Sequence, residues 1–178
     1  KKSKIVMFGD FHSLPSAQRT ILDYISDCLP YYKKHSKKVV LALEMLKPSD
    51  NEKVKKYLKD QITEEEFLKE IQLNKSWGFH WQNYKQFFEL AKKADIEIVG
   101  LNLRNPQKKA TLTQRDRFAA LQLTQHIKKN PNAAIWVVMG DLHLAKEHLP
   151  KAIESQLKLL NVSAPITVVH QNNDKLYW

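Results

Sequence analysis

Two copies of one tetrapeptide carry most of the chemistry in this sequence: Gly9-Asp10-Phe11-His12 and Gly140-Asp141-Leu142-His143. Each follows a short apolar run, Ile5 to Phe8 and Ile135 to Met139. The chain has only 4 glycines in 178 residues, so finding two at the head of the same motif is informative. A glycine at a strand end is expected to take a backbone shape that other residues resist, turning the chain sharply. That turn would hold an aspartate and a histidine at the strand's carboxyl end, the ligand-binding edge of an open parallel sheet. Other apolar runs end similarly: one in Ala42-Leu43-Glu44, one in Gly100-Leu101-Asn102-Leu103-Arg104, one in His170. Either motif alone is ordinary turn or cap chemistry. Both together, beside Glu44, imply a built site.

Two imidazoles and a carboxylate admit two uses. His12, Glu44 and His143, with Asp10 and Asp141 alongside, form a set able to hold a divalent cation. Alternatively Glu44 serves as a base towards water with a histidine partner, while Arg104 stabilises a developing oxyanion. Both describe a metal-dependent hydrolase with His12, Glu44, His143 and Arg104 as its catalytic residues. No H-x-x-x-H or H-x-x-E spacing occurs, so such a site must be assembled from distant loops. His143 and His148, five apart, are expected on different faces of a helix and receive no role.

The elements that must position these residues can be read from periodicity. Five runs rich in β-branched residues show little alternation: Ile5 to Phe8, Val39 to Leu43, Ile96 to Leu101, Ile135 to Met139 and Ile166 to Val169. Strands buried on both faces read this way. Helix-start signals lie between them. Pro15-Ser16 opens an amphipathic stretch, Ser49-Asp50 caps a second, and Thr63 with Glu66 forms a capping box for a third. Thr113 with Asp116 is expected to start a fourth, and Pro150 suits the first position of a fifth. Strand alternating with helix specifies one α/β domain over residues 1–178, with a mostly parallel central sheet of about five strands flanked by helices. The long connection between the second and third strands is expected to form a helical cap over residues 50–93.

Composition removes several classes. No apolar run approaches the ~18 residues of a membrane helix, and a single cysteine (Cys28) permits neither an internal disulfide nor a cysteine-based metal site. Cys28 itself reads as a small core residue. The net charge is +10, but only four of the 29 basic residues are arginine, which argues against a nucleic-acid partner. The same lysines suit an anionic membrane surface. The chain opens on Lys1-Lys2-Ser3 without methionine, and a removed signal or lipid-anchor segment, with membrane association through it, is expected there.

The paired motifs and Glu44 resemble the Tiki/TraB/erythromycin-esterase superfamily, and within it the ChaN-like proteins. The two G-x-x-H motifs, Leu41-Ala42-Leu43-Glu44-Met45, Ile98 to Asn102 and Arg115-Asp116 fall in family order. Phe67-Leu68 and the segment Trp77-Gly78-Phe79-His80-Trp81 look like the ChaN helical insertion. The resemblance implies a haem-binding protein of haem or iron uptake, held at the cell envelope by a lipid anchor. Its Tiki branch implies the metal-dependent hydrolase instead.

For haem the resemblance directs attention to the insertion. Trp77, Trp81, Tyr84 and Phe88 recur at helical steps and would share one helix face, a pattern that also suits plain core packing. His80 and Tyr84, four apart, could approach each other there, and haem iron accepts either as axial ligand. His80, Tyr84 and Trp81 are therefore the expected haem-binding residues, with Tyr24, Tyr31, Tyr32 and Tyr57 as further candidate ligands. Haem would bind without a covalent bond, since no C-x-x-C-H occurs. A flat ligand on an exposed cap is best desolvated between two copies, so a homodimer is expected.

Overall fold

The computed structural model describes residues 4–35, 37–103 and 110–171. Five strands form one wholly parallel sheet: β1 (Ile5–Asp10), β2 (Val39–Leu43), β3 (Glu97–Gly100), β4 (Ala134–Gly140) and β5 (Ile166–Val169). Their order is β3-β2-β4-β1-β5. The apolar runs mark these strands to within a residue or two; β1, β2 and β4 are covered on both faces and have no polar side to interrupt the pattern, while the edge strands β3 and β5 are only partly buried.

Alternation along each strand divides the core in two. Val6 and Phe8 of β1, with Trp136 and Val138 of β4, face α1 (Pro15–Lys34) and the insertion. Ile5 and Met7, with Ile135, Val137 and Met139, face α6 (Leu112–Lys129) and α7 (Leu149–Leu159). The insertion between β2 and β3 holds a 3-10 turn (Pro48–Asp50) and four helices: α2 (Asn51–Leu58), α3 (Glu64–Glu70), α4 (Leu73–Ser76) and α5 (Gln82–Ala94). Its own centre is aromatic, with Tyr57 stacked on Phe67 at 4.6 Å between ring centroids.

The capping box of Thr63 and Glu66 forms as the sequence indicates. The one expected at Thr113 does not. The cap is Thr111, paired with Gln114, and this frees Asp116 to turn inward, where it is buried. The aromatic stripe is also broken. Trp77 stands in extended backbone after α4, and His80 precedes α5, so the two lie off the helix that carries Tyr84 and Phe88.

The chain leaves β1 by α1 towards β2 on one face and leaves β4 by α7 towards β5 on the other. Adjacent strands whose connections part in opposite directions open a crevice at their carboxyl ends. Here those strands are β1 and β4, and each ends in a Gly-Asp-x-His motif.

Candidate functional site

The crevice is a cleft of about 720 Å³ lined by residues of both motifs, Glu44, Phe79, Arg115 and His170, among others. In both motifs glycine leaves space rather than supplying an unusual conformation, because no described glycine has positive φ. A Cβ on Gly9 would fall on the Asp141 carboxylate, and one on Gly140 would lie 3.0 Å from His12 Nε2. The expected unusual backbone shape is therefore replaced by close approach.

Glu44 stands at the centre, 3% exposed. Its Oε2 accepts the Gly140 N–H at 2.7 Å and faces His12 Nε2 at 3.4 Å. Its Oε1 accepts from the Arg115 guanidinium and faces His143 Nε2 at 3.5 Å. Each imidazole is held from behind by an aspartate. His12 Nδ1 lies 2.7 Å from Asp10 Oδ2, and His143 Nδ1 lies 2.5 Å from Asp116 Oδ1.

The two motifs are alike in sequence but not in use, and strand register explains why. Asp10 pairs with Gly140, not with Asp141, so the motifs are one residue out of step. A one-residue offset sends equivalent side chains to opposite faces. Asp10 is buried on the α1 and insertion side, where it accepts from Gln18 and from the Tyr84 hydroxyl. Asp141 packs over Gly9 and pairs with His170 Nδ1 at 2.9 Å. The five residues expected as a metal set thus do not converge. His12, Glu44 and His143 come together, while Asp10 backs His12 and Asp141 serves His170.

The charges follow from these contacts. Burial alone would depress the His12 imidazolium, but hydrogen bonds to Asp10 and Glu44 outweigh it and push its pKa up to about 9. Burial alone would raise the Glu44 carboxyl, yet His12 and His143 hold it well below the usual carboxylate range. Glu44 is consequently a poor base at neutral pH, since a general base works best with a pKa near the operating pH. Among the described residues no group of three or more His, Cys, Asp or Glu is arranged to hold a metal ion. The physical reason is that the Glu44 oxygens already face a guanidinium, a backbone N–H and both imidazoles. A divalent cation does not fit this donor set as it stands.

Two residues of the site, Arg115 and Asp116, are marked in the sequence only by their place in family order, which gives them no role. Arg115 occupies the cationic place expected of Arg104, which lies outside the described residues. Asp116, beside it in the first turns of α6, binds His143 and also His148 Nδ1 at 3.0 Å. A helix through 143–148 would put His143 and His148 on different faces. Instead the chain forms a 3-10 turn (Asp141–Leu144) and a bend, which brings both histidines to one carboxylate. Asn102 has the expected strand-end place, its N–H bonded to the Leu46 carbonyl at 2.8 Å.

The insertion meets the cleft through its aromatics rather than presenting a separate face. The His12 ring packs against Trp77 and Phe79, with centroids 4.8 and 4.7 Å apart. The two rings also meet each other edge-on at 5.3 Å, so the three form one aromatic cluster at the cleft wall. Tyr84 is 2% exposed, and burial together with the Asp10 charge pushes its phenol far above the usual range. Its hydroxyl is engaged with Asp10. Trp81 is buried among Tyr57, Phe67 and Phe88. His80 alone of the three expected haem-binding residues is exposed.

The fold is shared with solved structures of low sequence identity. The structure of the haem-binding ChaN of Campylobacter jejuni, described as binding haem cofacially, matches with a TM-score of 0.68 at 16% identity, over 97% of this chain and 83% of that one. The type III effector HopBA1 matches with a TM-score of 0.53 at 20% identity, over 79% and 67% of the two chains. RRSP, a MARTX toxin effector domain from Vibrio vulnificus, gives 0.55 at 18% identity, over 85% of this chain but 32% of its own. No curated protein matches the sequence. A family model described as haem-binding uptake, Tiki superfamily, ChaN, covers residues 1–114, which include His12, Glu44 and the whole insertion. The chain therefore belongs to the ChaN family of haem-binding uptake proteins.

Proposed function

We propose that this protein binds haem without a covalent bond at the mouth of the β1–β4 cleft, for haem or iron uptake, and that a second copy covers the exposed face of the ligand. One observation carries the placement: His170 lines the cleft with its Nδ1 held by Asp141. A carboxylate on one ring nitrogen is the usual means of orienting an imidazole whose other nitrogen ligates a metal. His170 Nε2 is the atom offered to iron. The mouth suits a flat apolar ring, because Phe79 and Leu142 line it while remaining 37% and 67% exposed. Exposed apolar groups at the rim of a cleft gain most when a ligand and a partner surface cover them. His80, next to Phe79, is the alternative ligand from the insertion. Bound haem would supply the iron, which His170 would hold, while Phe79 and Leu142 would lie against its apolar ring.

Titration with haemin tests this reading. The wild-type protein should give a shifted Soret band and a larger sedimentation coefficient when loaded. His170→Ala should lose the shift with its far-ultraviolet circular dichroism unchanged. Loss in His80→Ala alone would move the ligand to the insertion. No spectral change with the wild-type protein at micromolar concentration would overturn haem binding itself.

A further inference from the structure

Parallel strands joined by crossover helices return every flanking helix to the amino edge of the sheet. The last turns of α1, α5 and α6 carry Lys33 and Lys34, Lys92 and Lys93, and Lys128 and Lys129. Lysine suits a helix C-terminus, where the backbone dipoles leave partial negative charge. These helices lie on both faces of the sheet, so the topology gathers their lysines onto one side of the domain, opposite the cleft. Lys38, just before β2, lies between the groups. It lines one groove with Lys92 and Glu97 and another with Lys33 and Asp95.

Glu52, Asp95 and Glu97 line the same grooves, so the acid on this face gathers around Lys38 and Lys92. Lys38 pairs with Glu97 at 2.7 Å and Lys92 with Asp60. Among the described residues, Lys33, Lys34, Lys93, Lys128 and Lys129 are exposed and have no acidic partner. Beside them α7 ends in Lys158 and Leu159, and Leu159 is 78% exposed.

We propose that this lysine face docks the domain on an anionic lipid surface, independently of haem. Point-charge ammonium groups are attracted by a diffuse layer of anionic headgroups. The described arginines lie elsewhere: Arg115 and Arg117 near the start of α6, and Arg19 in the first half of α1. Nucleic-acid readout relies on arginine's planar fork, which this face lacks. An exposed leucine among lysines gains by entering the headgroup boundary, as apolar side chains of interfacial helices do. Docked this way, the protein turns its cleft away from the lipid, open to ligand and to a second copy.

The test is co-sedimentation with vesicles of phosphatidylcholine containing phosphatidylglycerol, beside vesicles of phosphatidylcholine alone and duplex DNA. Binding should be confined to the anionic vesicles and should weaken as salt rises. Each lysine near such a surface is worth roughly five-fold in affinity. The variant K33Q/K34Q/K128Q/K129Q should therefore bind at least about 100-fold more weakly, with its haemin titration unchanged. The paired variants K33Q/K34Q and K128Q/K129Q give intermediate losses and cover the case in which the fourfold change unfolds the chain. Equal binding to both vesicle types, unchanged binding by the variants, or tighter binding to DNA at matched salt would overturn the proposal.

Discussion

The Tyr84 hydroxyl donates to Asp10 Oδ2 at 2.7 Å and so ties the helical insertion to the carboxyl end of the first strand. Asp10 spends its two oxygens on three donors, because Gln18 reaches Oδ1 while His12 shares Oδ2 with the tyrosine. The insertion is thereby fastened to the cleft as one of its walls.

Tyr84→Phe should therefore weaken folding and spare haem. Removing a donor from a buried carboxylate costs about 1–3 kcal/mol, measurable as a lower urea midpoint with unchanged slope. The Soret band formed with haemin should keep its position. A lost or displaced band would make Tyr84 an iron ligand after all and would require it to leave Asp10.

The pH dependence of stability should show His12. Its pKa is 6.5 unfolded and about 9 folded, so its contribution is complete below the unfolded value and disappears as pH rises through the folded one. That loss amounts to roughly 3 kcal/mol. Glu44 acts in the opposite sense, contributing above its unfolded value and losing that contribution as pH falls through its lowered folded one. The two together favour mildly acidic conditions. Unfolding free energies measured from about pH 6 to about pH 9.5 should decline in the wild type and be flatter in His12→Asn. A wild-type profile that rises over this range would contradict the assignment.

Asp116 makes a different prediction, because it holds two histidines from outside either motif. Asp116→Asn keeps the shape but offers a single acceptor oxygen, so one of His143 and His148 loses its partner. Stability should fall by about 1–3 kcal/mol, and the nitrogen-15 resonances of His143 should report a changed tautomer. Unchanged His143 resonances would mean that Glu44, and not Asp116, fixes this ring.

How far the sequence reveals this site depends on whether a feature is local. The strand ends could be read from Ile5 to Phe8 or Val39 to Leu43 because burial on both faces leaves an unbroken apolar run. The convergence of His12, Glu44 and His143 followed, since every parallel strand delivers its last residues to the same edge. Arg115 could not be found in this way. It begins on a helix that meets Glu44 only after α6 packs on the sheet, and its neighbour Asp116 imitates an N-cap signal. The unequal fates of Asp10 and Asp141 were equally hidden, because the one-residue stagger of β1 against β4 is set by pairing and not by the motif. For the insertion, periodicity was misleading: Trp77 fits a helical repeat with Tyr84, but extended backbone separates them.

Gly9→Ala tests the close packing of the motifs. The added methyl would displace the Asp141 carboxylate, which in turn holds His170. Overpacking of this kind costs about 1–3 kcal/mol. If His170 is the iron ligand, haemin affinity should fall along with stability, whereas a change at the insertion would leave it alone. A variant as stable as the wild type, with the same haemin affinity, would show that Asp141 moves aside freely and does not orient His170.

Glu44→Gln separates architecture from catalysis. In the native site Oε2 meets the Gly140 N–H and His12, while Oε1 meets Arg115 and His143. A glutamine has one acceptor oxygen, so in either orientation its NH2 group is turned against a donor. The change also strips a buried anion from between a guanidinium and an imidazolium, and breaking such a group costs about 3–5 kcal/mol. Urea unfolding should show a loss of this size. Glu44→Gln combined with Arg115→Met should recover part of it, because the second change removes the stranded cation. The haemin spectrum of the folded fraction should be unaltered, since the His170–Asp141 pair does not touch Glu44. If Glu44→Gln is instead as stable as the wild type, Arg115 and the histidines do not depend on the carboxylate for their charge balance. The case for a reactive rather than a structural centre would then be reopened at Glu44.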